Sequence, residues 1–359
     1  MSKLHVSAPG RICLFGEHQD YLNLPVIAAA ISKRINIAGV KRKDKEVNIE
    51  LPDLNSTESF PLEETIPYTV ERDYLRSCVN VLIREGFTFS KGFDVTMHGE
   101  IPINAGTSSS SAMIIAWINF LAKMSDQEKE LDRQEIANLG YKAEVLEFGE
   151  PGGMMDHYST SVGGVIWLES FPGINLEPMH PKFGEFILGN SQEPKDTKYI
   201  LARVKKGVIN IVNDLKRKNP EFSLQNIRLE EFDRYTDELN NDQLELLQGT
   251  IRNRDITFEA KQVMLTEPLN HHRIGRLMNE HQKVLRDILK ISTPKIDKMI
   301  ETALSAGAFG AKINGSGGGG CMFAYAPENG EKVLEAVKSI APESWLVTID
   351  EGTKTEAVD

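Results

Sequence analysis

Apolar and polar positions change period several times along the chain. Residues 4–7 read as a strand, Pro9-Gly10 as a turn, and residues 12–15 as a second apolar segment. Residues 26–31 form a short apolar run, and 35–41 alternate like a strand. Leu75, Val79 and Leu82 share one face of a predicted helix over 74–85. Phe93, Val95 and Met97 alternate with Asp94, Thr96 and His98, as in a half-buried strand. Residues 112–122 are almost all apolar and predict a buried helix. Asp132 with Glu135 makes a capping box for another, running to about Phe148. A helical piece follows around Asp156, then a strand over 165–168.

The character shifts near residue 185. Residues 186–189 and 199–204 read as short segments around a polar loop. Long charged helices with few glycines follow, up to about Leu304. A strand at 321–325 and an amphipathic helix at 331–340 end the pattern. With 359 residues, one hydrophobic core is strained. The expectation is two lobes, 1–185 and 186–359, with the last strand a candidate to return to the first.

Two glycine-rich segments interrupt the pattern. Asn104-Ala105-Gly106-Thr107-Ser108-Ser109-Ser110 lies just before the buried helix. A helix start presents free amides and partial positive charge, glycine admits a phosphate to the backbone, and serines add donors or a metal ligand. The plainer alternative is a linker or a serine cap. The second segment, 315–320, formally contains G-x-G-x-x-G but is followed by a strand, which rejects a dinucleotide site. It reads as a loop against a ligand or another lobe, or as a simple turn. No G-x-x-x-x-G-K-[ST] occurs, which excludes a P-loop.

Arg11, Glu17, His18, Asp20 and Tyr21 fall within eleven residues. Carboxylates and an imidazole together suit hydroxyl-rich ligands, which donate and accept in pairs, although a solvated loop has the same composition. Asp156 follows Gly152-Gly153 and could deprotonate a hydroxyl, or simply sit favourably at a helix start.

Composition narrows the classes. Apolar residues make up 40% and charged residues 26%, as in ordinary globular proteins. The net charge of -11 argues against nucleic acid or anionic membrane as partner. No apolar run reaches the ~20 residues of a membrane span, and the N-terminus lacks a signal-peptide core. Three cysteines, Cys13, Cys78 and Cys321, fit neither zinc nor a disulfide framework and suggest a cytoplasmic location.

Taken in order, these segments resemble a known family. Residues 9–21 closely resemble the first motif of galactokinases, and 102–112 the phosphate loop of the wider GHMP kinase superfamily. Residues 152–157 are similar to the galactokinase segment with the catalytic aspartate, and 311–321 to the third, glycine-rich motif. The segments 277–281, 285–287 and 292–294 also look galactokinase-like. The resemblance implies a two-lobed α+β fold with a cleft between lobes, and ATP and Mg2+ as cofactors. It implies phosphates over 106–110, with Asn104, Ala105, Gly106, Thr107, Ser108, Ser109, Ser110, Gly317 and Gly318 binding the nucleotide. Ser109 or Ser110, with Glu144, would hold the metal. Asp156 would be the catalytic carboxylate, and Arg11 its charged partner. Glu17, His18, Asp20, Gly153 and Tyr199 would hold a sugar phosphorylated at its C1 hydroxyl.

The chain departs from the pattern at Cys13, at Asn23-Leu24-Pro25, at Thr107, at His157 and at Gly317-Gly318-Gly319. The expected acceptor is therefore galactose or a related monosaccharide. Rival readings are a mevalonate-type kinase of the same superfamily, and a galactokinase-like sensor without catalysis. Turnover of ATP separates the sensor from the enzymes.

Overall fold

The computed structural model describes residues 3–194 and 197–358. The first strand, β1, is Lys3–Phe15 and the second, β2, is Val26–Lys41. The expected turn at Pro9-Gly10 is instead a bulge within β1, where the register on β2 shifts. Proline has no ladder donor and is tolerated at a bulge. The two apolar runs 26–31 and 35–41 likewise join into one strand. Arg34, in the polar break between them, bonds to Ser7 Oγ at 3.0 Å and to Asp350 at 2.8 Å.

A hairpin of β3 (Glu46–Leu51) and β4 (Ser56–Pro61) leads to helix α1 (Tyr74–Arg84) and strand β5 (Phe93–Gly99). Helix α2 (Ser109–Met124) is buried almost all round, as its sequence predicts. Asp132 caps α3 (Arg133–Tyr141), completing a capping box with Glu135. The expected run to Phe148 becomes a π-helical turn, Lys142–Leu146. Helix α4 (Met155–Val162) and the β6 (Val165–Glu169) and β7 (Asn175–Met179) hairpin follow.

Strand β8 (Phe186–Asn190) opens a second sheet. Residues 199–204, expected as a short segment, lie within α5 (Thr197–Lys218), whose apolar face packs on α6 (Asn241–Met264). Helices α7 (His271–Lys283) and α8 (Pro294–Ala306), strands β9 (Gly310–Ile313) and β10 (Cys321–Tyr325), helix α9 (Gly330–Lys338), and strands β11 (Ser344–Val347) and β12 (Lys354–Val358) complete the chain.

The first sheet runs β12-β1-β2-β5-β3-β4, with β6 and β7 added on β2. The second is antiparallel, in the order β11-β8-β10-β9. One core lies under the first sheet against α1, α2 and α3. Another joins the second sheet to α6, α7, α8 and α9. A third, smaller cluster on α5 and α6 buries Leu22 and Leu24, and so anchors the loop after β1. Among the described residues, no helix is long and apolar enough to cross a membrane.

Candidate active site

Strand β1 delivers Arg11 to a cleft of about 920 Å³. The guanidinium is buried; its Nε donates to Asp156 Oδ1 at 2.7 Å, and Nη2 lies 2.7 Å from the same oxygen. Asp156 sits in the first turn of α4, its side chain 32% exposed to the cleft. Burial works to raise its pKa. The Arg11 charge overrides that, helped by His157, and holds the carboxyl below its ordinary value.

The expected phosphate loop lies beside this pair, and its carbonyls face the protein. Thr107 O accepts from Arg11 N at 3.1 Å, and Ala105 O from Cys321 N at 2.7 Å. Gly106 O accepts from Arg11 Nη1 and from Asn314 Nδ2, the latter at 2.8 Å. Alternate residues Asn104, Gly106 and Ser108 take φ of 55°, 84° and 61°, in the left-handed region. This twist, with the unbonded first-turn amides of α2, builds an anion-binding concavity. Asn104, Ala105, Gly106, Ser108, Ser109 and Ser110 line the cleft. Thr107 contributes its backbone only, since its hydroxyl turns to Pro102 O at 3.4 Å.

The third motif closes on this loop differently from expectation. Gly315, Ser316 and Gly320 line the cleft. Gly317 and Gly318 do not: a Cβ on Gly317 would fall 2.5 Å from Ile291 Cβ, and Gly318 N donates to Ile291 O at 2.7 Å. They hold the turn rather than the ligand. Asn314, which sequence reasoning left without a role, accepts from Cys13 N at 2.9 Å while it donates to Gly106 O. Its place between a strand and a glycine run is the one sequence signal that marks it.

Glu144 lies in the π-helical turn. Ser110 Oγ donates to its Oε1, and Ser111 Oγ and His157 Nε2 reach its Oε2, all at 2.7 Å. Of the two serines expected as metal ligands, Ser110 meets Glu144; Ser109 lines the cleft without bonding to it. A hydroxyl and a carboxylate are the hard oxygen donors that Mg2+ takes when nucleotide phosphates supply the rest. Among the described residues there is no group of three or more His, Cys, Asp or Glu that could hold a metal alone.

Within the cleft, the loop after β1 divides in two. Glu17 is buried with both oxygens bound to protein, Oε2 to Lys312 Nζ and Oε1 to Gly315 N at 2.6 Å. Expected to hold a ligand, it lines the cleft and also ties this loop to the third motif. Lys312, fully buried, also donates to Cys13 O at 2.8 Å and Ile313 O at 3.0 Å. His18 Nε2 lies 3.0 Å from Ser316 O, and Nδ1 lies 2.6 Å from Tyr21 Oη. A carbonyl can only accept, so Nε2 carries the proton and Nδ1 accepts from Tyr21.

Asp20 reaches the cleft beside Asp156. It accepts from Tyr21 N at 2.9 Å and, more weakly, from Met155 N at 3.4 Å. Burial, then the Asp156 charge, pushes its pKa above the ordinary value. Gly153 is packed against it. Tyr199 falls in the first turn of α5, and its side chain lies outside the described residues.

The chain is similar to known proteins in sequence and in fold. Residues 73–164 match the GHMP kinases N terminal domain, 265–343 the GHMP kinases C terminal domain, and 2–41 the galactokinase galactose-binding signature. The chain is 30% identical to a mevalonate kinase of Pyrococcus furiosus, covering 99% of each chain. It is 29% identical to a galactokinase of Actinobacillus succinogenes, over 95% of this chain and 89% of that one. The crystal structure of Lactococcus lactis galactokinase complexed with galactose superposes with a TM-score of 0.85 at 23% identity, covering 98% of this chain and 95% of that one.

Proposed function

This chain belongs to the GHMP kinase family, and we propose that it is an ATP-dependent sugar kinase acting on the C1 hydroxyl of galactose or a related monosaccharide. The carrying observation is a pair of carboxylates, Asp20 and Asp156, on the acceptor side of an amide-lined loop. Arg11, beside them, already has its charge committed to Asp156. A neutral polyol can donate to both carboxylates. An acceptor bearing its own carboxylate, such as mevalonate, meets a negative field there.

The chemistry follows from positions. Loop amides and the α2 start hold the ATP phosphates, and Arg11 faces the charge that develops on the transferring group. The hydroxyl oxygen attacks the γ-phosphorus, the bond to the β-γ bridging oxygen breaks, and ADP leaves. Arg11 meets Asp156 at Oδ1, and Oδ2 would face the acceptor proton. A carboxyl held below its ordinary pKa is too weak a base to ionise an alcohol beforehand. It orients the hydroxyl and takes the proton as the new O–P bond forms. Mg2+, held by Ser110 and Glu144, would neutralise phosphate charge. Three free buried cysteines suit a cytoplasmic setting.

The relationship to mevalonate kinases gives the rival acceptor. An ADP-release assay with Mg-ATP against galactose, glucose, arabinose, fucose, N-acetylgalactosamine, uronic acids and heptoses, with mevalonate as comparison, separates the two. Turnover of a neutral sugar with none of mevalonate is expected. Turnover of mevalonate alone would overturn the reading. An acid-labile product phosphate is expected for C1 transfer.

A further inference from the structure

We propose that Arg72 binds the nucleotide phosphates through the free edge of its guanidinium, opposite the glycine-serine loop. This rests on the kinase reading above. Among the described residues, Arg11 and Arg72 are the only arginines or lysines lining the cleft. Arg11 is committed to Asp156 and Gly106 O. A triphosphate carries about four negative charges at neutral pH, and the same cleft holds Asp20, Asp156, Glu144 and Glu150. The wall formed by Arg72, Tyr74 and Glu150 needs a cation to accept phosphates.

The backbone delivers Arg72 there against its own preference. Its φ is 61°, a region that long side chains rarely occupy. The neighbouring residue holds it in place. Asp73 caps α1 and accepts from Thr69 N at 3.0 Å and Thr69 Oγ1 at 3.2 Å, while Tyr74 N donates to Arg72 O at 2.8 Å. The side chain is thereby thrown across the cleft to Glu150, 78 residues on.

Glu150 takes only part of the guanidinium. Nε donates to Oε1 and Nη2 to Oε2, while Nη1 has no acceptor among the described residues. The side chain remains 34% exposed, against 13% for Glu150. Glu150 thus fixes the fork and leaves one nitrogen for a phosphate oxygen, the planar geometry that suits arginine better than lysine.

Direct binding of Mg-ATP to the full chain, by calorimetry, tests this with three variants. Arg72→Met is expected to weaken binding at least tenfold, and Glu150→Gln supplies the background for the double variant. The double variant decides between contact and mere charge balance. If Arg72 touches phosphate, Arg72→Met with Glu150→Gln stays weak. If Arg72 serves only to neutralise Glu150, the double variant recovers wild-type affinity and the proposal falls. Unchanged binding by Arg72→Met would also overturn it. If that variant does not fold, Arg72→Gln in the Glu150→Gln background gives the same comparison. An unaltered protein that binds no Mg-ATP would sink the kinase reading, and this inference with it.

Discussion

Gly153 stands so close to Asp20 that a Cβ on it would fall 2.0 Å from Asp20 Oδ2. The glycine is therefore a steric requirement of the acceptor side, set by a residue 133 positions earlier.

Gly153→Ala should push Asp20 out of place and raise the acceptor KM about tenfold or more, on the order of the 1.4 kcal/mol that one decade represents. The ATP KM and the melting temperature should stay near wild type, because the clash is confined to the acceptor side. Steady-state kinetics with each substrate varied in turn checks this. An equal rise in both KM values would place the damage elsewhere.

The two cleft carboxylates should titrate apart. Asp156 is held below the ordinary aspartate value of 3.8 and Asp20 above it. The depressed group stabilises the fold above its unfolded pKa, and this contribution is lost as pH falls through the folded pKa. The raised group does the reverse, costing stability as pH rises through its folded pKa. Carbon-13 NMR titration of the carboxyls should find Asp20 as the last to ionise. In Asp156→Asn the Asp20 value should fall, since a like charge is gone, while turnover drops about a thousandfold or more.

Glu17 distinguishes a ligand from a strut. Removing one member of a buried ion pair typically costs about 3–5 kcal/mol, because the partner charge is left stranded. Glu17→Gln should thus lower the unfolding free energy by roughly that amount, and adding Lys312→Met should recover part of it. Denaturant melts of the single and double variants measure the coupling. Unaltered stability with a higher sugar KM would instead make Glu17 a direct ligand.

Ser110→Ala should raise the Mg2+ concentration needed for half-maximal rate, since the hydroxyl meeting Glu144 at 2.7 Å is gone. Ser109→Ala should do so less. Rates measured over a Mg2+ titration at fixed ATP order the two, and a larger effect at Ser109 would reverse the assignment.

Much of this protein was legible in its sequence. The period of apolar residues predicted α1, β5, α2 and the capped start of α3, because amphipathic spacing and caps are local properties. That Arg11, Asp156, Glu144 and the loop before α2 meet in one cleft followed from motifs standing in a recognisable order. Joining β1 across Pro9-Gly10 was not legible, since a bulge depends on the partner strand. Nor was the division of labour within 17–20, where both carboxylates line the cleft but Glu17 is tied to Lys312 and Asp20 to the amides of Tyr21 and Met155. Neighbours in sequence share composition, but the partner that each carboxylate meets is decided by what packs behind it. The ties from Asn314 to Gly106 and from Arg72 to Glu150 span 208 and 78 residues. Such pairings follow from chain topology, and only the folded molecule fixes them.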